Sequence, residues 1–78
     1  MKVRVVGKEF ASGTSRKTGK DFAATIVHIV YPKPRCEGQA VEPLWLNPMD
    51  YPVDKIAVNK DYNLDRDSRG FVIGFDPL

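Results

Sequence analysis

Short apolar runs separated by turn residues dominate this sequence, and no stretch repeats its apolar residues with the spacing of an amphipathic helix. The clearest run is Phe22–Tyr31 (FAATIVHIVY), which is rich in β-branched and aromatic residues and therefore predicts a strand. Both faces of this strand are apolar, because Ile26 and Val27 point in opposite directions. Because the chain is so short, only one face of this strand can point towards a core. We therefore expect a partner subunit or a ligand to cover the opposite face.

Three more segments have the composition of strands. Lys2–Phe10 predicts a strand bent at Gly7, because a glycine inside a strand often marks a bulge. Ala40–Leu46 predicts an edge strand, because Pro43 cannot donate a hydrogen bond to a neighbouring strand. Tyr62–Arg66 alternates apolar and polar residues, which is typical of a strand with one buried face.

The rest of the C-terminal half predicts turns and a last strand. Asn47–Pro52 predicts a turn or a short 3₁₀ segment, Ile56–Val58 the start of the fourth strand, and Asp67–Gly70 a tight turn. Phe71–Phe75 then returns as the final strand. Three of its residues, Phe71, Ile73 and Phe75, are predicted to enter the core, and Trp45 is predicted to pack in the core or against a second subunit.

The strands and turns together predict an all-β fold, a small five-stranded OB-like barrel formed as one domain by residues 1–78. Closing the sheet into a barrel leaves the fewest bare strand edges. A chain of 78 residues is in the size range that buries only about 60% of its unfolded surface. Such a domain is marginally stable alone, so we expect a homodimer.

Charge is unevenly distributed along the chain. The net charge is +2, but residues 1–20 contain six Lys or Arg against one Glu, whereas residues 61–78 contain four Asp against two Arg. A localised basic surface attracts polyanions in a way that net charge does not. The N-terminal quarter is therefore the predicted polyanion-binding region.

The composition argues against an enzyme. Zinc normally takes several Cys or His ligands, whereas this chain has only His28 and Cys36, and no third group is evident to orient them for nucleophilic catalysis. We therefore expect no cofactor, no metal and no small-molecule substrate. There is no long apolar run and no signal peptide at the N-terminus, and a single cysteine favours a reducing compartment, so we expect no membrane association and a cytoplasmic location.

The stretch Ser12–Phe22 (SGTSRKTGKDF) carries the most specific signal for function. Its glycine, serine and threonine residues predict a loop, and it places Arg16, Lys17 and Lys20 just before the aromatic Phe22. Cations beside an aromatic ring suit a stacked base with a neighbouring phosphate. The plainer alternative is a hairpin loop that is basic only because it is solvated.

The same stretch resembles the basic loop of the small single-stranded-DNA-binding (helix-destabilising) proteins of filamentous phages. Their pattern is roughly Ser-Gly-x-Ser-Arg-x-Gly-Lys-x-aromatic, and the similarity extends loosely to the chain length and the C-terminal strands. The resemblance implies an OB-like dimer that coats single strands cooperatively. It also implies that Arg16 and Lys20 contact phosphate and that Phe22 stacks on a base.

We therefore expect a DNA-binding protein that coats or protects single-stranded DNA during phage replication, largely without sequence preference, in the cytoplasm of a bacterial host. Two alternatives stay open: a small β-barrel that docks another protein, and an RNA-binding barrel of the cold-shock type. The predicted nucleic-acid-binding residues are Arg4, Lys8, Arg16, Lys17, Lys20, Phe22, Tyr31, Lys33 and Arg35.

Overall fold

The computed structural model describes all 78 residues and contains five strands, all paired antiparallel. The strands are β1 (Lys2–Thr14), β2 (Asp21–Tyr31), β3 (Ala40–Leu46), β4 (Asp61–Arg66) and β5 (Val72–Pro77). They form one sheet in the order β3-β2-β1-β4-β5. The only helical segment is a 3₁₀ turn of three residues at Val53–Lys55, so no helix is long enough to cross a membrane.

The two edges of the sheet are β3 and β5, and they do not pair with each other. The predicted all-β fold with five strands is therefore confirmed. Closure of the sheet into an OB-like barrel stays a prediction, since it would need β3 and β5 to meet. The edge position predicted for the strand containing Pro43 agrees with the observed order.

One face of the sheet, here called the inner face, carries the hydrophobic core. At its centre Val27 and Ile29 of β2 are fully buried, together with Thr25. The connection from β3 to β4 crosses this face, because the Thr25 hydroxyl donates to the Tyr51 carbonyl (2.7 Å) and Ile56 is buried there. The ten core residues are Val3, Val5, Val27, Ile29, Leu44, Leu46, Ile56, Tyr62, Leu64 and Phe75.

A bulge near Gly7 divides β1 into two parts, as the sequence predicted. The register with β2 shifts between Val5 and Gly7. Before the bulge β1 pairs with both β2 and β4, through residues Lys2–Arg4 on the β4 side. After the bulge β1 pairs with β2 alone, and up to Phe10 its β2 partners still pair with β3 on their other side.

Beyond the sheet, β1 and β2 continue as a two-stranded ribbon, which we call the hairpin arm (residues 11–14 and 21–24). β3 pairs with β2 only from Thr25 onward, so the arm has no third strand. The prediction that all of Ser12–Phe22 is a loop is wrong, because Ser12 pairs with Ala23 and Gly13 with Phe22. Strand pairing there overrides the turn-forming composition, and the connecting loop is only Ser15–Lys20, here called the basic tip.

Two core predictions for the last strand, predicted over Phe71–Phe75, are wrong. Phe71 and Ile73 are 63% and 67% exposed, and only Phe75, at 3%, enters the core. Phe71 lies before β5 begins, in the turn that precedes it. The register of β4 and β5 also shifts next to Arg66, so the simple alternation along β5 fails at that point.

Two predictions between β3 and β4 are also corrected. Trp45 is 61% exposed and is not part of the core, because it lies between Leu44 and Leu46, which both point inward. Ile56–Val58 is not the start of a strand. Ile56 is buried as part of the crossing connection, and β4 begins only at Asp61. The predicted turns at Asn47–Pro52 and Asp67–Gly70 lie between strands as expected.

Candidate nucleic-acid interface

The basic tip is a closed turn held by its own backbone. The Ser15 amide donates to the Lys20 carbonyl (2.8 Å), and the Gly19 amide donates to the Ser15 carbonyl (2.8 Å). Gly19 has a φ of +69°, which suits glycine because it lacks the Cβ atom that crowds this conformation. Below the turn the Thr14 hydroxyl donates to the Asp21 carboxylate (2.7 Å). The tip therefore has a defined shape although no third strand supports it.

All three cations of the tip, Arg16, Lys17 and Lys20, are exposed, and none forms an ion pair. The nearest acid in sequence, Asp21, accepts its hydrogen bond from Thr14 instead. Elsewhere in the chain most arginines are compensated, as Arg66 is by Glu42. The tip is thus a concentration of positive charge with no internal counter-charge, which is the electrostatic requirement for binding a polyanion.

Phe22 lies beside the tip on the outer face of the sheet, opposite the core. Its ring extends across the strand to Gly13, where an added Cβ atom would be only 3.4 Å from the ring atom Cε1. The ring thus lies beside bare backbone, and 43% of the residue remains exposed. An aromatic surface supported from below and open to solvent can accept a stacked base.

Trp45 extends this aromatic surface, and sequence reasoning did not predict it. Its ring centroid is 6.5 Å from that of Phe22, and the two ring planes are inclined by 48°. Trp45 pairs across the strands with Ile26, which is only 6% exposed although it points away from the core. The signal was present in the sequence, since a residue between two core leucines of one strand must point outward.

Arg4, Lys8 and Tyr31 are not brought to the tip. The Lys8 ammonium group donates to the Ile56 carbonyl (2.7 Å) and the Val53 carbonyl (3.0 Å), across the inner face. Arg4 is exposed on the outer face but is paired with Asp61 (3.5 Å), which Lys2 also approaches (3.6 Å).

Tyr31 packs against the core. Burial, the negative charge of Glu42 and hydrogen bonding to that carboxylate raise the pKa of the Tyr31 phenol above its ordinary value. The Tyr31 phenol is therefore neutral over the physiological pH range.

Lys33 and Arg35 lie in the connection between β2 and β3, at the far end of β2 from the tip. Neither forms an ion pair, so both are free cations. The length of β2, eleven residues, separates them from the tip by roughly 35 Å at about 3.3 Å per residue. They form a second, smaller basic region and not part of the same cluster.

His28 and Cys36, the two residues considered for metal binding and catalysis, lie on different parts of the structure, one in β2 and the other in the β2–β3 connection. No three His, Cys, Asp or Glu side chains are placed to hold a metal ion together. His28 is half-exposed on the outer face with its Nε2 atom 3.7 Å from a Glu9 carboxylate oxygen, and Cys36 is an exposed free thiol in the β2–β3 connection. The groups that the structure does assemble are cations and aromatic rings.

Comparison with known proteins gives no relative for this chain: no protein-family model, no curated protein and no solved structure matches it.

Proposed function

We propose that this chain is a single-stranded-DNA-binding protein that binds largely without sequence preference. One observation carries the proposal. The basic tip presents three exposed cations without ion pairs, and Phe22, the nearby residue on the outer face of the arm, is an exposed aromatic ring. Cations that follow the backbone, combined with rings on which bases stack, are the shared features of single-strand binders. Neither feature distinguishes one base from another.

Binding would divide between the two kinds of group. Arg16, Lys17 and Lys20 contact phosphate oxygens and release condensed counterions, which supplies most of the affinity at low salt. Phe22 takes a base on its open side. The action is passive, because a protein that binds only the unpaired strand lowers the free energy of that strand relative to duplex.

The proposal extends to fold and assembly. Pairing of β1 with both β2 and β4 is compatible with an OB-like barrel, which contact between β3 and β5 would close. A homodimer is proposed because several large apolar residues stay exposed on a small domain. Together with the phage-protein resemblance of the Ser12–Phe22 stretch, this supports a role in coating DNA during phage replication in a bacterial cytoplasm.

The dimer has its own test. Sedimentation equilibrium at micromolar concentration should detect a species of twice the 8.8 kDa chain mass. A single 8.8 kDa species over the whole concentration range would remove the dimer from the proposal and leave the binding site intact.

A pair of matched double variants tests the binding function. Arg16→Ala with Lys20→Ala should weaken binding of a labelled oligo(dT) by about tenfold or more, since two phosphate contacts are lost. Lys55→Ala with Lys60→Ala removes the same charge from exposed positions between β3 and β4, and it should have a much smaller effect. Equal losses in both double variants would show that binding follows net charge and not the tip.

Two other functions would give different results. A protein-docking module, favoured by the exposed Val41 and Ile73, would show no salt-sensitive retention on immobilised single-stranded DNA at about 50 mM salt. An RNA-binding barrel of the cold-shock type would bind RNA oligomers in preference to DNA oligomers of the same sequence in direct competition.

A further inference from the structure

Trp45 exposes a large aromatic surface that the core does not use. It is 61% exposed on β3, although its two strand neighbours are buried. Tryptophan contributes more apolar area than most side chains, and leaving that area in water forgoes its stabilisation. A ring of this size kept at the surface beside a second exposed ring calls for a ligand or a partner.

The geometry of the pair determines what kind of ligand fits. The centroids of Phe22 and Trp45 are 6.5 Å apart, and their planes are inclined by 48°. A planar base that lies parallel to one ring cannot also lie parallel to the other. Each ring is therefore suited to a separate base, and two bases on neighbouring rings must come from one flexible, unpaired strand.

The surroundings place the rings in line with the tip. Ala24 and Ile26 follow Phe22 along the outer face of β2, with Ile26 directly opposite Trp45, and they are only 7% and 6% exposed, so they form an apolar floor beside the two rings. Phe22 is one residue from the basic tip, and Trp45 pairs with β2 four residues further along. A strand whose phosphates contact the tip would thus pass its next bases over Phe22 and then over Trp45.

We propose that Trp45 is a second base-stacking residue, so that the outer face of β2 and β3 binds two successive bases of a single strand. This inference rests on the proposed function and adds a residue and a direction to its site. The strand runs from the tip across the sheet towards β3, and it does not follow β1 to Arg4. The competing occupant of the same rings is a second copy of this chain.

Trp45 is the only tryptophan in the chain, so its fluorescence reports on its own environment. Titration with oligo(dT) should quench the emission, with the same midpoint as the anisotropy of a labelled oligonucleotide. Trp45→Ala should weaken binding by about 5- to 160-fold, the equivalent of about 1–3 kcal/mol for loss of one stacked base. Trp45→Phe retains a ring and should lose less. Val41→Ala, an exposed apolar position on the same strand, is the matched control and should change affinity by less than about twofold.

A double variant separates two bases from one shared base. If each ring holds its own base, the double variant of Phe22→Ala and Trp45→Ala should lose clearly more affinity than either single variant, although the two losses need not multiply because rings 6.5 Å apart are neighbours. A loss no larger than that of the stronger single variant would mean that both rings serve one base, and it would overturn the two-base site. Urea unfolding of all variants checks that the changes act on binding and not on folding.

The possible failures are distinguishable. If the wild-type protein binds oligo(dT) but Trp45 emission does not change and Trp45→Ala keeps full affinity, the inference is wrong and the proposed function stands. If Trp45→Ala dissociates a dimer and leaves affinity unchanged, the ring belongs to a contact between copies. If the wild-type protein does not bind oligo(dT) at low salt, both proposals are wrong.

Discussion

The β1–β2 and β4–β5 hairpins have similar turns but different electrostatics. Each turn contains a glycine with positive φ, Gly19 at +69° and Gly70 at +87°, and each is followed closely by an exposed phenylalanine, Phe22 or Phe71. They differ in whether their cations have partners within the protein. The β1–β2 tip leaves its cations without partners, whereas in the β4–β5 turn Arg69 is bound to its own hairpin.

The β4–β5 turn is an internally satisfied network. The Asp67 carboxylate accepts hydrogen bonds from the amides of Arg69 (2.9 Å) and Phe71 (3.0 Å) and from the Arg69 guanidinium (3.2 Å). The guanidinium also lies 5.2 Å from the centroid of the Phe71 ring. A cation and a ring already in contact with each other have less to offer a ligand. A ring beside a cation is therefore a candidate binding site only where the cation lacks a partner.

The largest expected effect comes from salt. If three to five phosphates are neutralised, the log–log slope for oligo(dT) binding should be about −2 to −3.5, which predicts a loss of about 15- to 130-fold between 50 and 200 mM salt. Arg16→Ala with Lys20→Ala should make the slope shallower by about 1.4, since two contacts are lost. Arg69→Ala should leave the slope unchanged. An equal change in both variants would contradict the difference between the hairpins.

Phe22 and Phe71, the exposed phenylalanines that follow the two turns, should differ in their contribution to binding. Phe22→Ala should cost about 1–3 kcal/mol of oligonucleotide binding, the amount expected for one stacked base. Phe71→Ala should change binding by less than about 0.5 kcal/mol, as expected for an exposed residue outside the site. Fluorescence titration measures both changes.

Urea unfolding supplies the control for these variants. Because Phe22 and Phe71 are both partly exposed, their replacement should destabilise the fold less than Phe75→Ala, which removes a buried ring and should cost about 3–5 kcal/mol. A Phe22→Ala protein that unfolds like Phe75→Ala would show that Phe22 is a structural residue and not a binding residue.

The sequence predicted the elements of the sheet better than their ends and faces. The sequence predicted β2 well because its many β-branched residues favour a strand through local composition alone. Gly7 also correctly predicted the bulge in β1. The arm was missed because Ser12 and Gly13 have poor strand propensity, and only their partners on β2 hold them in a strand. Pairing across a hairpin cannot be derived from the propensity of one strand.

The site was predicted in part, for a similar reason. Arg16, Lys17, Lys20 and Phe22 are close in sequence, so local reasoning placed them together. Trp45 joins them only through the pairing of β3 with β2, which a local pattern does not contain. Lys8 shows the converse limit, because its basic character is visible in the sequence but its two carbonyl partners come from residues more than forty positions away.

The smallest expected effect is the pH dependence of the β4–β5 turn. Partial burial on its own would raise the pKa of Asp67, but hydrogen bonds from the Phe71 and Arg69 amides and from the Arg69 guanidinium hold that pKa below its ordinary value of 3.8. When the pKa of a carboxyl group is lower in the folded state, the unfolded state binds more protons at pH values between the folded and unfolded pKa. The resulting stabilisation is therefore complete above about pH 4 and is lost as the pH falls through the lowered pKa.

Asp67→Asn keeps one acceptor oxygen but cannot ionise, so it removes this pH dependence. The free energy of unfolding, measured in urea between pH 2.5 and 6, should fall less steeply on acidification for the variant than for the wild-type protein, with the curves converging at the acid end. Oligonucleotide affinity at pH 7 should not decrease, because this turn lies outside the proposed site. Parallel stability curves would show that Asp67 does not hold the turn through its charge, and a loss of affinity would place the β4–β5 hairpin in the binding site.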